Sequence, residues 1–135
     1  VYTRENFAER VREITGGKGV AVVYDSIGKD TFTDSLSCLR PLGMMVLFGA
    51  ASGPVPPVDL GVLAQKGSLF VTRPTLFTYA AQRADLLATS AELFEVVQAG
   101  TVKVEVNQRF ALAQAADAHR ALESRKTTGS TILLP

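Results

Sequence analysis

Near the amino terminus, the apolar residues first follow a helical spacing and then form a continuous run. The first helix is predicted by three apolar residues spaced i, i+4, i+7: Phe7, Val11 and Ile14. Thr3 is its predicted amino-terminal cap, and Gly16 and Gly17 end it. Residues 20–24 are apolar without alternation, which predicts a strand buried on both faces, as in a parallel sheet.

The same alternation repeats after a turn at residues 25–28. A second helix is predicted by one apolar stripe: Phe32, Leu36 and Leu39. Pro41 and Gly43 are expected to stop this helix, and residues 44–48 form a second apolar strand closed by Gly49. Helices that alternate with such strands are typical of βαβ crossovers in a parallel sheet.

The rest of the chain predicts further elements of the same kind. Residues 50–57 are mostly glycine, proline and small residues, so we expect a loop, then a short helix over 59–64. A third strand is predicted from Ser68 to Thr72, stopped by Pro74. A long helix ended by Gly100 is predicted by these apolar residues: Leu86, Leu87, Leu93, Phe94 and Val97. A short stretch at 102–106, a final helix around 115–122 and a closing strand at 131–134 complete one predicted α/β domain over residues 1–135.

Composition and charge exclude several classes of function. Apolar residues make up 47% of the chain and charged residues 20%, as in ordinary folded domains. The net charge of +1 gives no reason to expect a nucleic-acid or membrane partner. No apolar run approaches the ~20 residues that span a bilayer. Cys38 is the one cysteine, and a lone thiol favours a reducing compartment, so we expect a cytoplasmic protein.

Familiar catalytic and metal-binding patterns are missing from the sequence. Cys38 and His119 are single residues of their types, and a Cys/His zinc site needs three or four ligands, so no metal site is expected. His119 is interpreted as an ordinary helix residue and Cys38 as a structural thiol rather than a nucleophile. There is no Gly-x-Gly-x-x-Gly turn and no Walker loop. No residue of the chain is assigned a catalytic role.

Better signals lie where the predicted strands end. In doubly wound sheets, ligands bind beyond the carboxyl ends of parallel strands. Three predicted turns follow such ends, at residues 25–28, 48–52 and 72–76. Gly49 would let the backbone approach a flat ring, and Phe48 could pack beside that ring. From the pattern alone, each turn fits a plain connection between strand and helix equally well.

These turns and a segment near the carboxyl terminus resemble one family. The matching segments are residues 22–28, 47–49, 65–74 and 121–125, with Gly129 and Ser130. Through them the whole chain is similar to bacterial NADPH:quinone oxidoreductases, the zeta-crystallin-like, zinc-free branch of the medium-chain dehydrogenases/reductases. The resemblance implies a Rossmann-type doubly wound parallel sheet, truncated at its amino-terminal side. By that pattern, the substrate domain and the glycine-rich phosphate turn would precede Val1.

The resemblance also implies NADPH as cofactor and particular residues that contact it. Tyr2 and Arg125 match residues beside the 2′-phosphate, a group well suited to the planar donor fork of arginine. Ser26 falls in a turn that lines the cofactor. Two loops around the nicotinamide and its ribose are matched by these residues: Phe48, Gly49, Ala50, Ala51, Pro74, Thr75 and Leu76. Relatives tend to have a polar residue where this chain has Ala50 and Ala51, which leaves only backbone contacts at those positions.

The implied activity of the full-length enzyme is hydride transfer from NADPH to a small-molecule quinone or enone, with the cofactor supplying the redox chemistry. The chain alone is expected to be inactive, because it lacks the phosphate turn. The family further implies a homodimer through the strand near Ser68 to Thr72. Two alternatives stay open: a noncatalytic α/β dimerisation module without cofactor, and a zinc-free reductase of alkenals or other enones.

Overall fold

The computed structural model describes residues 4–135, so Tyr2 and Thr3 lie outside the described residues. Contacts divide the chain into two compact units, with the boundary between Tyr79 and Ala80. The first unit contains a three-stranded sheet and the second a two-stranded sheet. The assignment of residues 1–135 to one dinucleotide-binding domain stays a prediction.

The first unit alternates helices and strands in the predicted order and adds one short helix, α4, that was not predicted. Its elements are α1 (Phe7–Ile14), β1 (Val20–Asp25), α2 (Phe32–Ser37), β2 (Leu39–Leu47), α3 (Gly61–Gln65), β3 (Phe70–Thr72) and α4 (Leu76–Tyr79). Strand β2 lies between β1 and β3, and both pairings are parallel. This arrangement confirms the predicted α/β fold with a parallel sheet.

Helix α1 is capped by Asn6, whereas the sequence pattern pointed to Thr3. The Asn6 Oδ1 atom accepts hydrogen bonds from the backbone amides of Ala8 (3.1 Å) and Glu9 (3.2 Å). Asn and Thr are both favoured at this position, so residue preference alone does not choose between them.

The predicted second helix is too long, because β2 begins at Leu39. Residue Val20 of β1 pairs with Leu39, but Val22 pairs with Met44, so residues 40–43 bulge out of the strand. The bulge contains Pro41, which lacks an amide hydrogen and is tolerated in strands at such irregularities. Leu39 is buried as the stripe suggested, but from a strand.

The core of the first unit lies on one face of its sheet. It consists of side chains from α2, β2 and the residue before β3: Phe32, Leu36, Leu39, Met45, Leu47 and Leu69. On the other face, Val22, Tyr24 and Met44 are exposed. Within the described residues, therefore, the unbroken apolar strands are covered on one face only, although their sequence predicts two buried faces.

The second unit contains α5 (Arg83–Gln98), β4 (Val106–Ala111), α6 (Ala115–Glu123) and β5 (Ser130–Leu134). Strands β4 and β5 are parallel. The two helices and the closing strand confirm the sequence prediction, whereas β4 begins only at Val106, the last residue of the predicted stretch at 102–106. Its residues alternate between half-buried and exposed, which is why polar residues occur along it. No helix among residues 4–135 is both long and apolar enough to cross a membrane.

Candidate functional site at the carboxyl edge of the sheet

The three strands of the first unit end side by side. Asp25 at the end of β1 pairs with Leu47 at the end of β2, and Thr72 at the end of β3 pairs with Val46. Because all three strands are parallel, the turns that follow them leave the same edge of the sheet. We call residues 25–28 the first turn, 48–52 the second turn and 73–76 the third turn. The predicted residues Ser26, Phe48 and Pro74 thus lie along one edge.

Hydrogen bonds fasten the first turn to the second. Three amides of the second turn donate to consecutive carbonyls of the first: Phe48 to Asp25 (2.9 Å), Ala51 to Ser26 (3.1 Å) and Ser52 to Ile27 (2.8 Å). The Ser52 hydroxyl also donates to the Ile27 carbonyl (2.8 Å) and accepts from the Asp30 amide (3.0 Å). These hydrogen bonds therefore fix the backbones of the two turns relative to each other.

Gly49 permits the closest approach between these turns. A Cβ atom at this position would lie 2.8 Å from the Cα atom of Ser26 and nearer still to the Ser26 carbonyl oxygen. Gly28 is required for a second reason, because its φ of +89° lies in the region that favours glycine. Neither position accommodates a side chain without movement of the backbone.

A buried carboxylate, Asp25, organises the first turn. Its two oxygens accept four hydrogen bonds: from the amides of Ile27 (2.8 Å) and Gly28 (3.0 Å) and from the hydroxyls of Thr31 (2.8 Å) and Ser35 (2.7 Å). Burial is the largest influence on this carboxyl and raises its pKa, but the hydrogen bonds together lower the pKa below its ordinary value. Asp25 is therefore a carboxylate at neutral pH, and its hydrogen bonds hold the backbone of the turn.

Arg73 links the third turn to the second. Its NH1 group donates to the carbonyl oxygens of Leu47 and Gly49, both at 3.0 Å. The same arginine lines a cavity of about 300 Å³ whose other walls come from β2 and the loop after it: Leu47, Gly49, Ala50, Pro54, Val55 and Pro56. This cavity lies at the edge where the resemblance locates the nicotinamide loops.

The predicted contact residues of the second and third turns are mostly accessible. Phe48 is 54% exposed and Leu76, the first residue of α4, is 75% exposed. Thr75 is exposed, and its hydroxyl lies 2.9 Å from that of Thr78. These side chains stand where a ligand at the sheet edge could meet them, and their contact with a cofactor stays a prediction.

Arg125 belongs to the second unit and follows α6 directly. Its φ is 58°, and its amide donates to the Leu122 carbonyl (3.1 Å), so it occupies the left-handed position that usually ends a helix with glycine. The left-handed conformation costs an ordinary residue about 1 kcal/mol. Its side chain is exposed and forms no salt bridge with any of residues 4–135. Tyr2, its predicted companion, lies outside the described residues.

The remaining candidates do not form a metal site. Cys38 is buried, and burial raises the pKa of its thiol, helped by nearby Asp34 and opposed by Arg12. His119 is an exposed residue of α6. Throughout residues 4–135, no three Cys, His, Asp or Glu side chains come close enough together to hold a metal ion. The donor groups of residues 4–135 therefore do not fit zinc.

Sequence reasoning found the turns but missed Asp25 and Arg73 as organising residues. The signal for Asp25 was present, because an Asp-x-x-Gly turn after a buried strand is followed by Thr31 and Ser35, which are spaced i, i+4. Arg73 had no comparable signal, because its partners are backbone carbonyls 24 and 26 residues earlier.

Comparisons with known proteins agree with this arrangement. The family model described as zinc-binding dehydrogenase matches residues 1–133. A quinone oxidoreductase of Pseudomonas aeruginosa is 58% identical over 99% of this chain and 41% of its own length, and a 2-haloacrylate reductase of a Burkholderia species is 51% identical over 99% and 40%. The crystal structure of Escherichia coli quinone oxidoreductase complexed with NADPH matches 100% of this chain and 42% of that one, with a TM-score of 0.93 and 51% identity. The chain thus spans about two fifths of the length of the relatives it matches.

Proposed function

The chain belongs to the zinc-binding dehydrogenase family, and from that membership we propose that it forms part of the NADPH site of a quinone oxidoreductase. The observation that carries the proposal is the common edge of the three turns, because ligands of parallel α/β sheets bind at that edge. The likeness to quinone oxidoreductases over almost the whole chain supports the choice of ligand and reaction.

The second turn suits a flat ring in two respects. Gly49, Ala50 and Ala51 carry little or no side chain, so the backbone can approach a ligand closely. Phe48 is exposed beside them and offers an aromatic surface. Hydrogen bonds to the first turn fix this backbone in advance, which reduces the ordering that a ligand would otherwise have to impose.

Arg125 is the proposed contact for the 2′-phosphate of NADPH. A non-glycine residue held in the left-handed conformation is a reason to look for a role of its side chain. The guanidinium is exposed and without a salt bridge to residues 4–135, so its donors are available to a phosphate. Tyr2 is retained as a second proposed contact with this phosphate.

When bound, NADPH supplies the hydride. The residues of this chain orient the cofactor and keep water from it, and none of them is assigned acid–base catalysis. Zinc has no part in the proposal, since the described donor groups do not fit it. We propose a quinone as acceptor; the similarity to a 2-haloacrylate reductase favours, as a second candidate, an electron-poor alkene.

Two further proposals concern the assembly and location of the full-length protein. Strand β3 is an edge strand whose three residues are all exposed, which supports a homodimer in which this edge pairs with its twin. The lone, buried Cys38 supports a reducing compartment, the cytoplasm.

The function is tested by measuring NADPH binding to the full-length protein and to two variants. Arg125→Ala is expected to raise the dissociation constant for NADPH by about 10- to 100-fold, because one charged hydrogen-bonded contact is lost. Arg120→Ala is the matched control, since Arg120 is an exposed arginine of α6 that pairs with Asp117. The constant for NADH, which lacks the 2′-phosphate, should change little in either variant. A full-length protein that binds neither nucleotide would refute the proposed function, and equal NADPH affinity in wild type and Arg125→Ala would refute the role of Arg125.

A further inference from the structure

Where the backbone pairing between β2 and β3 stops, the side chain of Arg73 makes hydrogen bonds to the backbone at the end of β2 and just after it. The paired residues end at Val46 and Thr72. Beyond Thr72 the chain reaches Pro74, which has no amide hydrogen to donate. The side chain of Arg73 turns back instead, and the two hydrogens of its NH1 group meet the carbonyls of Leu47 and Gly49 at 3.0 Å each.

These two carbonyls stand on either side of Phe48. Alternate carbonyls of an extended backbone point the same way, so one guanidinium nitrogen can hold both. On the opposite side of this backbone, the Phe48 amide donates to the Asp25 carbonyl at 2.9 Å. Phe48 and Gly49 are thus held from two directions, by the first turn and by Arg73.

We propose that Arg73 is a positioning residue for the cofactor, which acts by fixing the backbone of Phe48 and Gly49. The inference rests on the proposed function, since it assigns Arg73 to the orientation of a nicotinamide ring bound against the second turn. Arg73 forms no salt bridge with any of residues 4–135, so its described contacts are these two carbonyls. A surface arginine that contributed only to solubility would not be expected to bridge these two backbone carbonyls.

Arginine is better suited to this task than lysine. Its planar NH1 group presents two hydrogens in one plane, and the rest of the guanidinium keeps that plane rigid. A lysine ammonium keeps the charge and could reach one carbonyl, but it has no fixed plane with which to hold the pair. A lysine at position 73 should therefore retain part of the positioning of Phe48 and Gly49. A glutamine should retain almost none, because its side chain is too short to reach either carbonyl.

The test uses the full-length protein, with steady-state kinetics at varied NADPH and a saturating quinone. Arg73→Gln is expected to raise the KM for NADPH about tenfold and to lower kcat, while Arg73→Lys should give about a threefold rise in KM. Arg40→Ala is the matched control, since Arg40 is an exposed arginine of β2 at the far end of the strand from the second turn. Thermal unfolding of each variant is recorded in parallel.

The graded order wild type, Arg73→Lys, Arg73→Gln in KM supports the inference. A lower unfolding temperature or a smaller kcat with an unchanged KM would overturn it, because that result describes a residue needed only for folding. If Arg73→Gln does not fold, Arg73→Lys decides: an intermediate KM supports positioning, and a wild-type KM overturns it. A wild-type protein without NADPH-dependent activity would instead refute the proposed function itself.

Discussion

Replacement of Asp25 by alanine removes the acceptor of four hydrogen bonds at once. The hydroxyls of Thr31 and Ser35 can rotate to other acceptors, and the Thr31 oxygen already lies 3.5 Å from the Gly28 carbonyl. The amides of Ile27 and Gly28 have no such freedom, because the turn fixes their direction. The cost of the substitution therefore comes mainly from these two donors.

The magnitude follows from those two amides. A buried donor without a partner costs about 1–3 kcal/mol, so the loss of the partner of two amides in Asp25→Ala is expected to lower the free energy of unfolding by about 2–6 kcal/mol. Asp25→Asn keeps one carbonyl oxygen for the amides and directs its NH2 group to the hydroxyls, which can accept. Its expected cost is about 1–2 kcal/mol. The order wild type, Asn, Ala is the first expected result.

The advantage of wild type over Asp25→Asn should also depend on pH. The folded-state pKa of Asp25 is lowered, whereas an unfolded aspartate titrates near pH ~3.9. The stabilisation is therefore present in full above the unfolded pKa and is lost as the pH falls through the lower folded pKa. Between neutral pH and about pH 5 the difference between the two proteins should be constant, and below about pH 4 it should shrink.

Urea unfolding of the full-length wild type and both variants, followed by circular dichroism at several pH values, measures these differences. An Asp25→Ala variant that unfolds within about 1 kcal/mol of wild type at neutral pH would contradict the organising role of Asp25. A stability advantage of wild type over Asp25→Asn that grows on acidification would contradict the lowered pKa of Asp25 in the folded protein.

Two further substitutions test the close turn and the sheet edge. Gly49→Ala should lower the free energy of unfolding by about 1–3 kcal/mol and weaken NADPH binding, because its methyl group would meet the backbone of Ser26. Gly61→Ala, at the start of α3, is the control: its methyl group would lie 3.2 Å from the carboxylate of Asp59, an exposed side chain that can move, so the substitution should change stability little. Urea unfolding and NADPH titration of both variants test this prediction. If the two variants had the same free energy of unfolding and the same NADPH affinity, the close approach of Gly49 to Ser26 would be contradicted. Val71→Lys places a charge on the exposed edge strand β3 and should convert the proposed dimer to monomers, as measured by light scattering, whereas a monomeric wild type would remove the basis for that assembly.

The sequence predicted the elements whose residues carry their own local signal. The apolar runs of β1 and β2 and the closing strand were recognised because continuous apolar stretches of that length are typical of parallel strands. Strand β4 was missed over Asn107, Gln108 and Arg109, since its residues pack on one side only and a polar strand resembles a loop in sequence. The boundary between α2 and β2 was misplaced because Leu39 continues the helical stripe of Leu36 while contributing to the core from a strand.

For the candidate site, the positions of the three turns could be predicted, but the hydrogen bonds between the turns could not. Parallel strands bring their carboxyl ends to one edge whatever the side chains are, so residues 26, 48 and 74 could be grouped from pattern alone. The hydrogen bonds of Arg73 to Leu47 and Gly49 join residues 26 and 24 positions apart, so they depend on the final packing and no local spacing encodes them. The partners of Asp25 lie within ten positions of it, and their spacing was a local signal that was not recognised.

At the end of α6, thermal stability and ligand binding are expected to favour different residues. Because Arg125 occupies a left-handed position, glycine there should raise the melting temperature of the protein, as replacement of a strained residue by a permissive one does. A screen that selected variants for survival at high temperature would therefore favour the loss of this arginine. If Arg125 holds the nucleotide phosphate, the survivors would be sturdier proteins that no longer distinguish NADPH from NADH.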